Sequence, residues 1–273
     1  MKKLLFITII LCTIISCQKN AIVEPELPKC SITKISETVR NSKNSTFQNA
    51  SIEYDNQQRV SKVTDPNADR SYLTYTYEKG KTVIKTFSRD DLKYTRSLIL
   101  NDKNQVIQDL VQNGQRIDTV TYAYNAEGFL SNASLNEYGY PKKIALKYEY
   151  NNDRNPSKIT TVIEYSTIGL KNSYYENYEY DGTVNFISMP NRNEIYPKYI
   201  HENIESLFSK VIKNIKVYSS NNQLLSEQSF KYLLNSDNKK VKSIVSDSYD
   251  ALNGIRDDNS LINDVQEFEY LCK

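Results

Sequence analysis

Five times between residues 51 and 182 the chain runs through an alternating segment, closes it on a tyrosine and turns. The segments are Ser51-Ile52-Glu53-Tyr54-Asp55-Asn56, Thr74-Tyr75-Thr76-Tyr77-Glu78-Lys79, Thr121-Tyr122-Ala123-Tyr124-Asn125-Ala126, Lys147-Tyr148-Glu149-Tyr150-Asn151-Asn152 and Asn177-Tyr178-Glu179-Tyr180-Asp181-Gly182. A second alternating segment follows the turn, as in Arg59-Val60-Ser61-Lys62-Val63 and Ser157-Lys158-Ile159-Thr160. Strand side chains alternate faces, so Tyr-x-Tyr puts both rings on one side. A helix needs apolar residues three and four apart, which these segments lack. Tyr, Ile, Val and Thr suit a pleated, half-buried surface, and Asn and Asp suit the turns. Asn113-Gly114 and Asp181-Gly182 are further hairpin signals.

The last residues before successive turns, Tyr54, Tyr77, Leu100, Tyr124 and Tyr150, are spaced by 23, 23, 24 and 26 residues. Two strands and two turns take about 20–25 residues, so each repeat is one hairpin. Tyr180, Tyr218, Tyr232 and Tyr270 follow at uneven intervals, which implies insertions. The first strand is expected at Ser31–Ser36 and the last at Val265–Tyr270. Between Met189 and Asn203 the alternation stops. Ile200, Ile204, Leu207, Phe208 and Val211 then fall at helical spacing, with Pro197 suited to a first turn. This predicts one helix over 197–212, its apolar stripe covering the tyrosine face of the sheet. The expected fold is all-β and mainly antiparallel. It is a meander of hairpins making a large twisted sheet or open barrel, in one domain over 30–273. Seven glycines and no tryptophan argue against a propeller.

Met1-Lys2-Lys3 followed by the apolar run Leu4–Ile15 reads as a signal peptide over residues 1–16, too short to span a bilayer. Its ending, Ile14-Ile15-Ser16-Cys17, resembles a bacterial lipobox, which implies cleavage before Cys17 and acylation of that residue. Several acyl chains, at about 0.8 kcal/mol per buried methylene, make a stable membrane anchor. Residues 17–29, with Pro25 and Pro28, read as a tether. Gln18-Lys19-Asn20 lacks the acidic residues that follow the lipidated Cys of surface-exported lipoproteins, so either face of the outer membrane stays open.

Tyr-x-Tyr-Asp/Asn, then polar residues, then Val or Leu between polar neighbours resembles the YD repeat of RHS-type proteins. The Gly-Arg that usually follows the turn survives in part at Gln58-Arg59 and Glu127-Gly128-Phe129. With the N-terminus, the chain resembles a Bacteroidota outer-membrane lipoprotein with YD/RHS-like repeats over residues 30–273. The resemblance implies antiparallel β-structure and no established activity.

Loss of residues 1–16 removes Lys2 and Lys3 and leaves 33 basic against 33 acidic side chains. That balance argues against nucleic acid as a partner. Of four cysteines, Cys12 leaves with the signal and Cys17 carries lipid. Cys30 and Cys272, at the two ends of the domain, are expected to pair as a disulfide outside the cytoplasm, which requires the first and last strands to be neighbours.

The sequence carries no catalytic set, and no cofactor or metal site is expected. His201, the single histidine, lacks a recognisable nucleophile and orienting acid. Two Cys and one His are too few for zinc. Asp90-Asp91 and Asp257-Asp258 read as solvated loop charges, since a glycosidic acid/base pair must come from separate positions. Asp118-Thr119-Val120 resembles a short O-glycosylation signal. Twenty-two tyrosines are the compositional outlier. Tyr54, Tyr77, Tyr124 and Tyr150 are either the buried core of the repeat or a strip that binds glycan or protein. The expectation is a non-catalytic envelope lipoprotein that binds glycan or an envelope protein. Its rivals are a periplasmic carrier with a cavity for an apolar ligand and a glycan hydrolase with two carboxylates in a cleft. An uncovered aromatic strip on the outer face would mark the binding module.

Overall fold

The computed structural model describes residues 30–41, 45–65, 70–136, 142–165, 168–185, 210–234, 241–252, 255–257 and 260–272. They form seventeen strands. The first nine are β1 (Cys30–Asn41), β2 (Ser45–Tyr54), β3 (Val60–Asp65), β4 (Ser71–Glu78), β5 (Lys81–Ser88), β6 (Asp91–Leu100), β7 (Val106–Asn113), β8 (Arg116–Tyr124) and β9 (Leu130–Asn136). They continue as β10 (Lys142–Tyr150), β11 (Pro156–Tyr165), β12 (Leu170–Asn185), β13 (Lys210–Ser219), β14 (Leu224–Leu234), β15 (Val241–Leu252), β16 (Ile255–Arg256) and β17 (Ile262–Cys272). From β1 to β15 each strand pairs antiparallel with the next; β17 pairs with β15 and returns to β1, from Cys30 opposite Cys272 to Asn41 opposite Ile262. The two-residue β16 lies beside β15, outside the ring. The result is a closed, up-and-down barrel of sixteen strands, so the meander has no open edge.

The register carries the two-residue beat of the sequence around the whole ring. Ile35 opposes Ala50, Ile52 opposes Val63, Tyr75 opposes Ile84, Tyr122 opposes Ala133, and Tyr148 opposes Ile159. All ten are buried. The alternate positions pair Lys34 with Glu269, Glu53 with Lys62, Lys143 with Glu164 and Glu149 with Lys158. In a closed single-layered wall, the face that is buried strand after strand is the inner one. The barrel therefore turns its repeated apolar positions inward and these charged pairs outward.

Sixteen-stranded porins enclose a water channel. Here much of the inside is filled with side chains: Ile84 is 1% exposed and Ile159 0%. Two clusters fill it. One is built from Ile32, Ile52, Val63, Ile84 and Phe268 on the strands around the β17–β1 seam, the other from Val120, Leu130, Leu146 and Ile159 on β8–β11. Leu98 on β6 packs with the first cluster and Val106 on β7 with the second.

Four of the turns share one geometry, while the Tyr77 repeat closes at Lys79-Gly80 between paired Glu78 and Lys81. Asp55, Asn101, Asn125 and Asn151 each accept, on one side-chain oxygen, the N–H groups two and four residues on. The backbone closes the same five residues, as in Asp55 N–H to Arg59 O and Gln58 N–H to Asp55 O. The fourth residue is left-handed in every case: Gln58 (φ 61°), Asn104 (59°), Gly128 (88°) and Arg154 (64°). A left-handed backbone favours glycine, and one of the four turns has it. Arg59, the fifth residue of the first turn, returns to Asp55 at 2.7 Å and covers the Tyr77 ring at 4.1 Å.

The expected helix over 197–212 falls largely outside the described residues. Its last three positions, Lys210, Val211 and Ile212, begin strand β13, and Val211 is fully buried there. Assigning Val211 to an apolar helical stripe was an error of period, because a buried valine fits either beat when read alone.

Candidate functional site

Tyr54, Tyr77, Tyr124 and Tyr150 all point inward, at the end of the barrel that carries the four Asx turns. Each sits at or next to the end of the second strand of its hairpin and is half-buried. Each hydroxyl donates to a carbonyl at the start of the first strand: Tyr54 to Ile32, Tyr77 to Val60, Tyr124 to Val106 and Tyr150 to Leu130, at 2.7–2.9 Å. Tyr232 to Ile212 and Tyr270 to Val241 repeat the bond at 2.8 and 2.6 Å, and Tyr180 does the same to Pro156. Seven of eight hairpins therefore carry a tyrosine clamp. The eighth, β5–β6, has Leu100 there and donates its backbone N–H to Gly80 O instead. Three of the clamps, Tyr180, Tyr232 and Tyr270, are the members of the series that follow at uneven intervals. Tyr218, which looked like one of the series, faces outward. Burial pushes the Tyr150 and Tyr270 hydroxyls up to about 12 and raises those of Tyr124, Tyr148 and Tyr180 as well.

The outer wall carries two further aromatic arrangements. Across β3–β6 the register lines up Thr64, Tyr72, Phe87 and Leu92; across β11–β14 it lines up Thr160, Tyr175, Tyr218 and Leu224. Tyr72 and Phe87 stack at 4.7 Å and 16°, Tyr175 and Tyr218 at 5.2 Å and 19°. Lys62 lies over Tyr72 at 5.0 Å and Lys158 over Tyr175 at 4.2 Å. The two rows are eight strands apart, on opposite sides of the ring. Each ring stacks on its partner, and a lysine also lies over Tyr72 and over Tyr175. Such rows pin the register of a sheet.

Inside, beyond the tyrosine clamps, the wall turns polar. Arg96 on β6 holds Asp109 on β7 through Nε at 2.7 Å and Nη2 at 2.5 Å, with both side chains almost wholly buried where the two clusters adjoin. Burial pushes the Asp109 carboxyl up, and the Arg96 guanidinium opposes that. Arg116 meets Asp118 at 3.0 Å. Gln266 donates to Glu37 at 2.8 Å and Asp264 at 3.3 Å, and Gln228 donates to buried Ser246 at 3.2 Å. Near this polar end a cleft of about 160 Å³ is lined by Ile215, Val217, Ser226, Gln228, Asp250 and Ile262 among others.

Other expected positions are dispersed. Asp90 pairs with Arg70 at 3.1 Å and Asp91 with Lys93 at 3.6 Å, on one hairpin tip. Asp118-Thr119-Val120 lies within β8, with Val120 buried. His201 and Asp258 lie outside the described residues, as do Cys17 and the rest of 1–29. Among the described residues no three His, Cys, Asp or Glu side chains gather as a metal site would require. Cys30 and Cys272 are register partners on the closing pair of strands.

No protein-family model matches the chain, and no curated protein matches it. Solved structures do share its architecture. A porin-like protein from Bacteroides vulgatus superposes with a TM-score of 0.62 at 13% identity, over 89% of this chain and 99% of that one. A porin-like protein from Bacteroides uniformis superposes at 0.59 with 15% identity, over 88% and 96%. At that identity the likeness is one of fold: a closed, antiparallel, sixteen-stranded barrel.

Proposed function

We propose that the protein is a non-catalytic lipoprotein of the cell envelope, held to the outer membrane through Cys17, whose barrel stands in water and binds a glycan or protein rather than conducting solutes through the bilayer. The observation that carries this is the charged outer wall. A membrane barrel presents an apolar band about 25 Å tall, and a Lys or Arg on that band costs about 2–4 kcal/mol at the midplane. Here Lys34, Lys62, Lys147, Lys158 and Lys216 alternate outward from strand to strand with Glu53, Glu149, Glu164, Glu179 and Glu269. Several meet across the wall, Lys34 with Glu269 at 2.7 Å and Lys171 with Glu164 at 2.8 Å. The filled interior also argues against a conducting pore. With Cys17→Ser the chain is expected to purify without detergent, to stay off lipid vesicles and to give no conductance in a planar bilayer. A requirement for detergent, or stepwise conductance, would overturn the reading. A glycan array and an envelope pull-down with the same variant then separate the two partner classes.

The same proposal includes a disulfide between Cys30 and Cys272. Directly opposed antiparallel residues have Cα atoms about 4.5–5.5 Å apart, which is within disulfide reach. In an oxidising compartment it would fasten the seam that closes the ring. Peptide mapping without reductant should recover the two cysteines as one linked pair; free thiols at both positions in protein isolated from the envelope would rule it out.

A further inference from the structure

The geometry points to a small-cation site in the cleft at the polar end of the barrel, one that takes a short alkyl ammonium group. Ile215, Val217 and Ile262 give the cleft apolar walls, Ser226, Ser248 and Gln228 give it hydrogen-bonding groups, and Asp250 stands at its rim. Glu227 also borders it, with its carboxylate on the outward beat 3.8 Å from Lys216, and among the described residues no Lys, Arg or His lines the cleft. The acceptors are held in place. Gln228 is anchored by its amide on Ser246, which is 4% exposed. The Asp250 backbone is clamped on both sides, its N–H on Ser260 Oγ at 2.7 Å and its carbonyl on the Asp257 N–H at 2.8 Å. Among the described residues its carboxylate has no hydrogen bond or ion pair, so it is available to a ligand.

An anion entering here meets the Asp250 carboxylate and, among the described residues that line the cleft, no cation. An ammonium group meets Asp250 and neutral acceptors, and its alkyl part meets the three aliphatic side chains. The volume equals about five waters at roughly 30 Å³ each, which suits a ligand of five or six heavy atoms. For a ligand that small the dissociation constant is expected on the order of a millimolar. This site is separate from the outer wall, so its failure leaves the reading of the wall intact.

The test is amide chemical-shift perturbation on the full chain, titrated in parallel with butylammonium and with butyrate, which has a similar chain length and the opposite charge. Butylammonium should move the amides of 215–217, 226–228 and 248–250, and butyrate should leave them still. Asp250→Asn should weaken butylammonium at least tenfold, and Ser248→Arg, which adds a cation without removing the carboxylate, should do the same. Both variants are compared at unchanged β-sheet circular dichroism. Equal shifts with both probes, no butylammonium shifts at these amides in the wild-type protein, or undiminished binding by a folded Asp250→Asn protein would each overturn the assignment.

Discussion

The two ends of this barrel are made from the same hairpins and are held by different physics. At the tyrosine end, apolar residues such as Ile52, Val60, Leu130 and Ile159 are buried and the clamps tie each hairpin's exit to its own entrance. At the polar end the inner face carries Ser226, Gln228, Ser248, Asp250 and Arg116, with a cleft among some of them. The difference teaches where the fold gets its stability and where it has room to vary. A clamp uses only backbone carbonyls as acceptors, so it tolerates any residue beneath it, and the repeat can drift in sequence without losing it. Among the described residues the polar end has no such common device, and its inner side chains differ from one hairpin to the next.

The largest expected effect lies between the two ends. Arg96→Met leaves Asp109 charged and buried and should cost about 3–5 kcal/mol in denaturant unfolding. The double change Arg96→Met with Asp109→Leu should recover most of that. If the single change is harmless, the pair is not what holds the boundary. Next, Ile159→Ala should cost about 2–5 kcal/mol, because a wholly buried side chain leaves a cavity behind. A Ser248→Ala change, in contrast, should stay within about 0.5 kcal/mol. Equal losses at these two positions would erase the distinction between the ends.

The clamps give an intermediate effect and a pH signature. Tyr124→Phe removes one hydroxyl-to-carbonyl bond and should cost about 1 kcal/mol. Tyr150 and Tyr270, pushed up from 10 to about 12, are favoured neutral in the folded barrel. Their contribution is complete below pH 10, where unfolded tyrosine begins to ionise, and is lost as pH climbs toward 12. Stability measured from pH 9 to 12 should therefore fall, and Tyr150→Phe should make the slope shallower. An unchanged slope would mean that the hydroxyls ionise without opening the clamps.

Much of this was legible in the residues. Alternation gave strand, face and hairpin from Ser51 to Asp181, because a period of two is local and each repeat restates it. The Asp or Asn after the tyrosine was legible as a turn for the same reason. Closure was not, since nothing in a single hairpin says how many neighbours complete a ring; the cysteines near the two ends were the one hint of a shared seam. The tyrosine series was legible, but its clamps were not, because the acceptor is a backbone carbonyl that no side chain announces. The two outward rows were invisible too, as Tyr72 meets Phe87 only through register. The cleft joins positions from four strands, each unremarkable alone.

Strand β1 is the first part of the domain to be synthesised and its second partner, β17, the last. Every other contact in the ring is between neighbours along the chain, so the hairpins can assemble as they emerge, while the ring stays unlocked until the final dozen residues arrive. A chain cut short before β17 would hold most of its sheet and expose two long ribbon margins ready to join another molecule. Loss of the C-terminus should thus be felt as filament or clump formation more than as unfolding.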